Sequence, residues 1–189
     1  MRSPITRALK EWAIAIKALE TGKTIMLLRK GGIREQGGHF TVTSTQVLLY
    51  PTYEHQKPDL LKPEYACQIK TVPSGWHPET IPIGSRAEII EILPVTAEST
   101  VAALLPYHIW NEKFVSERLK WKPRNPLYIL LLRTYRLQEE REIPYLPEYG
   151  GCRSWIDLAT PFDIERAQPI LSDAEFAQQV TAIRRAVHG

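Results

Sequence analysis

The segment Lys30-Gly31-Gly32-Ile33-Arg34-Glu35-Gln36-Gly37-Gly38-His39-Phe40 sets two glycine pairs among basic and imidazole side chains. Paired glycines free the backbone for positive φ and let a ligand come close to the amides. Lys30 offers a phosphate a point charge, and Arg34 offers it a two-pronged contact. The segment lacks the Gly-Lys-Ser/Thr ending of a Walker A loop, and its glycines are not spaced as in a dinucleotide fingerprint. The alternative is a plain hairpin connection with solvated charges.

Next, Tyr50-Pro51-Thr52-Tyr53-Glu54-His55-Gln56-Lys57 packs phenols, a carboxylate, an imidazole, an amide and an ammonium behind an apolar run. Loops at strand ends are where rigid scaffolds present working groups. His55 suits acid/base chemistry near neutral pH, with Glu54 to orient it. On extended chain the two point apart, so a dyad requires a turn between them. Tyr50 and Tyr53 could instead stack on exposed bases.

Two further constellations are more ambiguous. Tyr107-His108-Ile109-Trp110 precedes a helix that carries Lys113, Arg118 and Lys120 and runs into Trp121-Lys122-Pro123-Arg124. Interleaved aromatic and basic residues suit a surface that stacks bases and neutralises phosphates, although tryptophans beside a helix also make core corners. Cys152 follows Gly150-Gly151 and precedes Arg153, whose charge would favour a thiolate, but no spacing supplies it with a base. The five histidines are scattered, so no metal site and no cofactor is expected.

The elements that must hold these groups follow from periodicity. Leu9, Trp12, Ala13, Ile16 and Leu19 recur at helical steps, predicting a helix over 6–20 that Gly22 ends. Strands are expected at 24–28, 40–42, 47–50 (stopped by Pro51), 67–72 and 87–93, the last entered through a turn at Pro82-Ile83-Gly84-Ser85. A short helix is expected over 98–105, and another over 112–120 capped by Asn111. The run 127–137 reads as a central strand, 139–161 as irregular, and 154–158 as an edge strand. Ser172 and Glu175 form a capping box for a last helix whose apolar stripe is Phe176, Val180, Ile183 and Val187.

The expected fold is therefore α+β: one domain over 1–189 with a curved or barrel-like mixed sheet and N- and C-terminal helices packed on it. Composition fits a globular chain, and no run is long and apolar enough for a membrane span. Two unpatterned cysteines and no export signal point to the cytoplasm. The net charge of +3 hides segregation. Residues 1–57 hold nine Lys/Arg against four Asp/Glu, residues 111–136 seven against two, and residues 137–175 three against nine. Either a local positive field results, or the acidic segment folds over the basic ones and cancels it.

Several motifs carry a resemblance: Ala8-Leu9-Lys10-Glu11-Trp12-Ala13, Leu28-Arg29-Lys30-Gly31-Gly32-Ile33, Gly37-Gly38-His39-Phe40, Tyr50-Pro51-Thr52-Tyr53-Glu54-His55-Gln56, His108-Ile109-Trp110 and Glu148-Tyr149-Gly150-Gly151-Cys152. In this order they resemble the domain of unknown function numbered 1802, over nearly the whole chain. The resemblance implies a bacterial, mostly cyanobacterial, protein; some relatives accompany a restriction-endonuclease catalytic domain, which would make this one a DNA-reading partner. A second resemblance is to the PUA-like and ASCH group of small barrels that bind RNA or modified bases. It rests on Ala18-Leu19-Glu20-Thr21-Gly22-Lys23-Thr24, on Arg29, and on Ile83-Gly84-Ser85-Arg86. Thr24 stands where that group has lysine and Leu27 where it has glutamate, which speaks against its hydrolytic site.

Three functions follow as expectations. The first is a nucleic-acid-binding module (DNA or RNA) in which Lys30, Arg34 and His39 form one wall of a shared site and Tyr50, Tyr53, His55 and Gln56 the other. The second is a metal-independent hydrolase or nuclease using His55 and Glu54. The third is a non-catalytic assembly protein that docks a protein partner on its acidic 137–175 segment.

Overall fold

The structure, a computed structural model, describes residues 4–30, 44–121, 124–151 and 153–189. Its first element corrects the sequence expectation. Ile5–Trp12 is a strand, β1, and only Ala13–Glu20 is helical, α1. The spacing of Leu9 and Trp12 fits either state, and tertiary context decides. β1 lies inside the sheet, parallel to one neighbour and antiparallel to the other, with Ala8 and Leu9 buried on opposite faces. The helix ends as expected: Lys23 N–H donates to Ala18 O and Gly22 N–H to Leu19 O, while Gly22 sits at φ +67°. This is a Schellman cap, which calls for a left-handed residue.

β2 (Met26–Arg29) and β3 (Gln46–Thr52) follow. Pro51 does not stop β3 but pairs with Glu11. The β3–β4 ladder has ended by Leu48, so no partner on that side needs the N–H that proline lacks. The expected strand 40–42 lies outside the described residues. A 3₁₀ turn, Pro58–Leu60, leads to the short helix α2, Pro63–Ala66. The strand expected at 67–72 is absent, because the chain leaves α2 through turns such as Gln68 N–H to Tyr65 O.

β4 (Thr80–Val95) and β5 (Leu127–Pro144) form the long antiparallel spine. The expected turn at 82–85 is instead part of β4, where the register shifts between Ile83 and Ser85. The extra residues are on β5, where 137–140 lie opposite Gly84 alone, and a Cβ at Gly84 would come within 2.8 Å of Glu140 Oε2, so the glycine allows a close approach inside the strand. Similarly, 139–144 extends β5 where irregular chain was expected. Between the spine strands lie α3 (Glu98–Leu104) and α4 (Glu112–Lys120), the latter capped by Asn111 Oδ1 accepting from Phe114 N–H at 3.1 Å. β6 (Trp155–Phe162), the two-residue β7 (Gln168–Pro169) and α5 (Asp173–His188) complete the chain. The Ser172/Glu175 capping box forms as expected.

The strand order is β2-β5-β4-β3-β1-β6, with β7 on the far part of β5. A larger apolar cluster holds Leu9, Val47, Leu49, Phe114 and the buried face of α5; a smaller one holds Ala8, Leu48, Tyr50, Tyr149 and Phe162. Alternate β3 residues enter different clusters, so β1 and β3 separate the two cores. The sheet is also strongly curled. β2 and β1 are separated by three strands, yet Arg29 of β2 reaches Glu11 of β1 at 2.9 Å and the Lys10 carbonyl at 2.7 Å.

Candidate functional site

At this seam between β2 and β1 lies a cleft of about 60 Å³. Glu11 and Trp12 come from the end of β1, Leu28, Arg29 and Lys30 from the end of β2, Trp110 from the approach to α4, and Phe114 and Arg118 from α4 itself. Phe114 stacks on Trp110 (ring centroids 5.1 Å, 16°) and meets Trp12 edge-on at 6.1 Å. These three rings fix the walls.

The cleft's charges are placed differently from one another. Arg29 is committed to Glu11 and to the Lys10 carbonyl, with Ser154 Oγ at 3.4 Å. Glu11 Oε1 also accepts from Trp12 N–H at 2.8 Å. The Lys30 ammonium donates to Leu119 O at 2.6 Å, answering a carbonyl in the last turn of α4. Burial lowers its pKa. Arg118 is the exception: its guanidinium lies over Phe114 at 4.9 Å and near Trp121 at 5.9 Å, with no ion pair among the described residues. Burial pushes it below its ordinary range, and neighbouring Arg29 adds to this while Glu11 opposes it. The indole N–H of Trp110 is buried without a partner. Trp121 is 46% exposed just outside.

The Tyr50–Gln56 stretch lies elsewhere. Tyr50 is buried in the smaller cluster, edge-on to Tyr149, and its hydroxyl has no hydrogen-bond partner among the described residues. Lys30 and Tyr50 thus fall on opposite sides of the β1–β3 layer and do not share a cleft. Gln56 Oε1 accepts from Ile14 N–H at 3.0 Å, satisfying an orphan donor at the start of α1. Tyr53 packs edge-on against the exposed Trp76. Glu54 and His55 do meet, at 3.1 Å, because His55 adopts φ +66° and makes the turn a dyad needs. The same Glu54 oxygen accepts from Gly75 N–H at 2.6 Å and Ser74 Oγ at 3.1 Å, which holds its carboxyl below the usual range. Arg34 and His39 lie outside the described residues, as does Cys152.

The acidic 137–175 segment answers some basic residues, through Asp157 with Arg7 and Asp173 with Arg133, but it does not reach Arg118. Among the described residues no group of three or more His, Cys, Asp or Glu is placed to hold a metal, and no helix is long and apolar enough to cross a membrane. Of the cleft residues, Lys30 is legible in sequence as a phosphate contact, and Trp110 and Arg118 as an aromatic-basic constellation. Glu11 and Arg29 were visible only as parts of longer motifs.

A curled mixed sheet with a basic, ring-walled cleft at its seam places the molecule among α+β domains built on a bent sheet. Within that class the chain belongs to the domain of unknown function family DUF1802, whose model matches residues 8–182. No curated protein matches it. Among solved structures, the crystal structure of ASCH from Zymomonas mobilis is similar, with 13% identity over 93% of each chain and a TM-score of 0.45.

Proposed function

We propose that the protein is a nucleic-acid-binding module, with the seam cleft rather than the Tyr50–Gln56 loop as its main contact. One observation carries this reading: among the described residues the cleft sets three cations, Arg29, Lys30 and Arg118, against the single carboxylate of Glu11. Enclosed excess positive charge is costly without a counter-anion, and a phosphate backbone supplies one. The exposed Trp121 ring beside Arg118 offers a base a stacking face.

The test is binding of short oligonucleotides across a salt series. Affinity should fall steeply with salt, and Arg118→Ala should weaken binding and reduce the slope of log K against log salt by about 1. Trp121→Ala should weaken single-strand binding by roughly 1–3 kcal/mol. Absence of binding at low salt would remove the reading.

A second reading, a metal-independent hydrolase or nuclease, draws on the 3.1 Å contact between Glu54 and His55. It requires that His55→Ala abolish turnover of an oligonucleotide substrate while the fold stays intact. The anchoring of Glu54 to Gly75 and Ser74 makes the same contact a brace between two loops.

A further inference from the structure

We propose that the seam cleft is a subsite for a phosphate monoester, and that on a nucleic acid it takes the terminal phosphate of a strand rather than a base or an internal diester. The second clause rests on the nucleic-acid reading; the first does not.

Size is the first argument. A cavity of about 60 Å³ has room for roughly four to six waters, enough for a phosphate group. Ring availability is the second. Phe114 is stacked on Trp110 and has Arg118 over it, so the rings inside the cleft serve one another rather than a base.

Charge is the third argument. Among the described lining residues, three cations and one carboxylate leave two positive charges, which suits the ≈ −1.5 to −2 of a monoester near pH 7 better than the single charge of a diester. Donors are the fourth. Arg29 and Lys30 are held by Glu11 and by main-chain carbonyls, so they frame the site. Arg118, held by ring contacts and by no ion pair among the described residues, can turn its two-pronged guanidinium to an oxyanion.

The experiment compares one single-stranded oligonucleotide with a 5′-phosphate, with a 3′-phosphate and with neither, alongside inorganic phosphate read by thermal shift. A terminally phosphorylated strand should bind about tenfold tighter or more than the bare strand. Arg118→Ala should erase that difference. If Arg118→Ala does not fold, Arg118→Lys keeps the charge, loses the fork and should narrow the difference. Equal, salt-sensitive binding of all three strands would overturn the monoester proposal and leave the nucleic-acid reading standing. Stabilisation by inorganic phosphate, lost in Arg118→Ala, with no oligonucleotide bound at low salt, would support the subsite and remove the nucleic-acid reading. No response to any of the probes would overturn both.

Discussion

Arg29 and Glu11 form an ion pair at 2.9 Å between strands that are not neighbours in the sheet. The pair marks where the curl brings the sheet back on itself, and both side chains are largely shielded from water. Removing one member of such a pair costs far more than the pair itself contributes, because the other is left charged and buried.

Glu11→Ala should therefore lower stability by about 3 kcal/mol in urea unfolding. The double variant Glu11→Leu with Arg29→Met should recover most of that loss. A double variant no more stable than Glu11→Ala would show that the pair does not act as a unit.

Stability and anion affinity should move in opposite directions at this position. Glu11→Gln removes the cleft's only carboxylate among the described residues, so it should destabilise the free protein yet tighten its binding of inorganic phosphate. Titration by calorimetry gives the sign; weaker binding would contradict the charge balance derived for the cleft.

His108 should make the fold acid-sensitive. Burial, with the nearby Lys62 ammonium adding to it, pushes this imidazole from 6.5 down to about 4, and a backbone hydrogen bond with Trp110 offsets only part of that. Between those pH values the unfolded chain takes up a proton that the folded chain refuses. Stability is thus full above about pH 6.5 and falls as pH drops toward 4, by up to roughly 3 kcal/mol. His108→Leu should flatten that part of the pH profile. The same slope in the variant and the parent would assign the effect to other groups.

Gly22 should tolerate no side chain. Its φ is +67°, and a Cβ built there would lie 2.7 Å from Leu171 Cδ2. Gly22→Ala should cost about 1–2 kcal/mol, measured by thermal unfolding. A neutral substitution would mean that the α1 cap can re-form without a left-handed residue.

The elements legible in sequence are those whose cause is local. The Ser172/Glu175 box, the Asn111 cap and the Gly22 stop each depend on residues a few positions apart, and each forms as read. β1 was misread because its state is decided by β3 and β6, strands the local pattern cannot see. Gly84 reads locally as a turn because a turn and a close approach inside a strand favour the same residue, and only the pairing with β5 decides between them. At the site, the charge and ring types of Trp110 and Arg118 were readable. Their meeting with Glu11 and Arg29 was not, since it follows from sheet curl over strands far apart in the chain. The Glu54–His55 contact depends on one positive φ at a residue type that seldom adopts it.

The place of β1 in the sheet bears on how the chain is made. On one side its partner is β6, which is joined to it by the Arg7–Asp157 bridge across 150 residues of sequence and leaves the ribosome that much later. At translation rates of roughly 5–20 residues per second, one edge of β1 stays unpaired for about 8 to 30 seconds on every nascent chain. Throughout that interval the newborn protein carries an open strand edge, so β1 is where a chaperone would have most to protect and where a stalled chain would begin to aggregate.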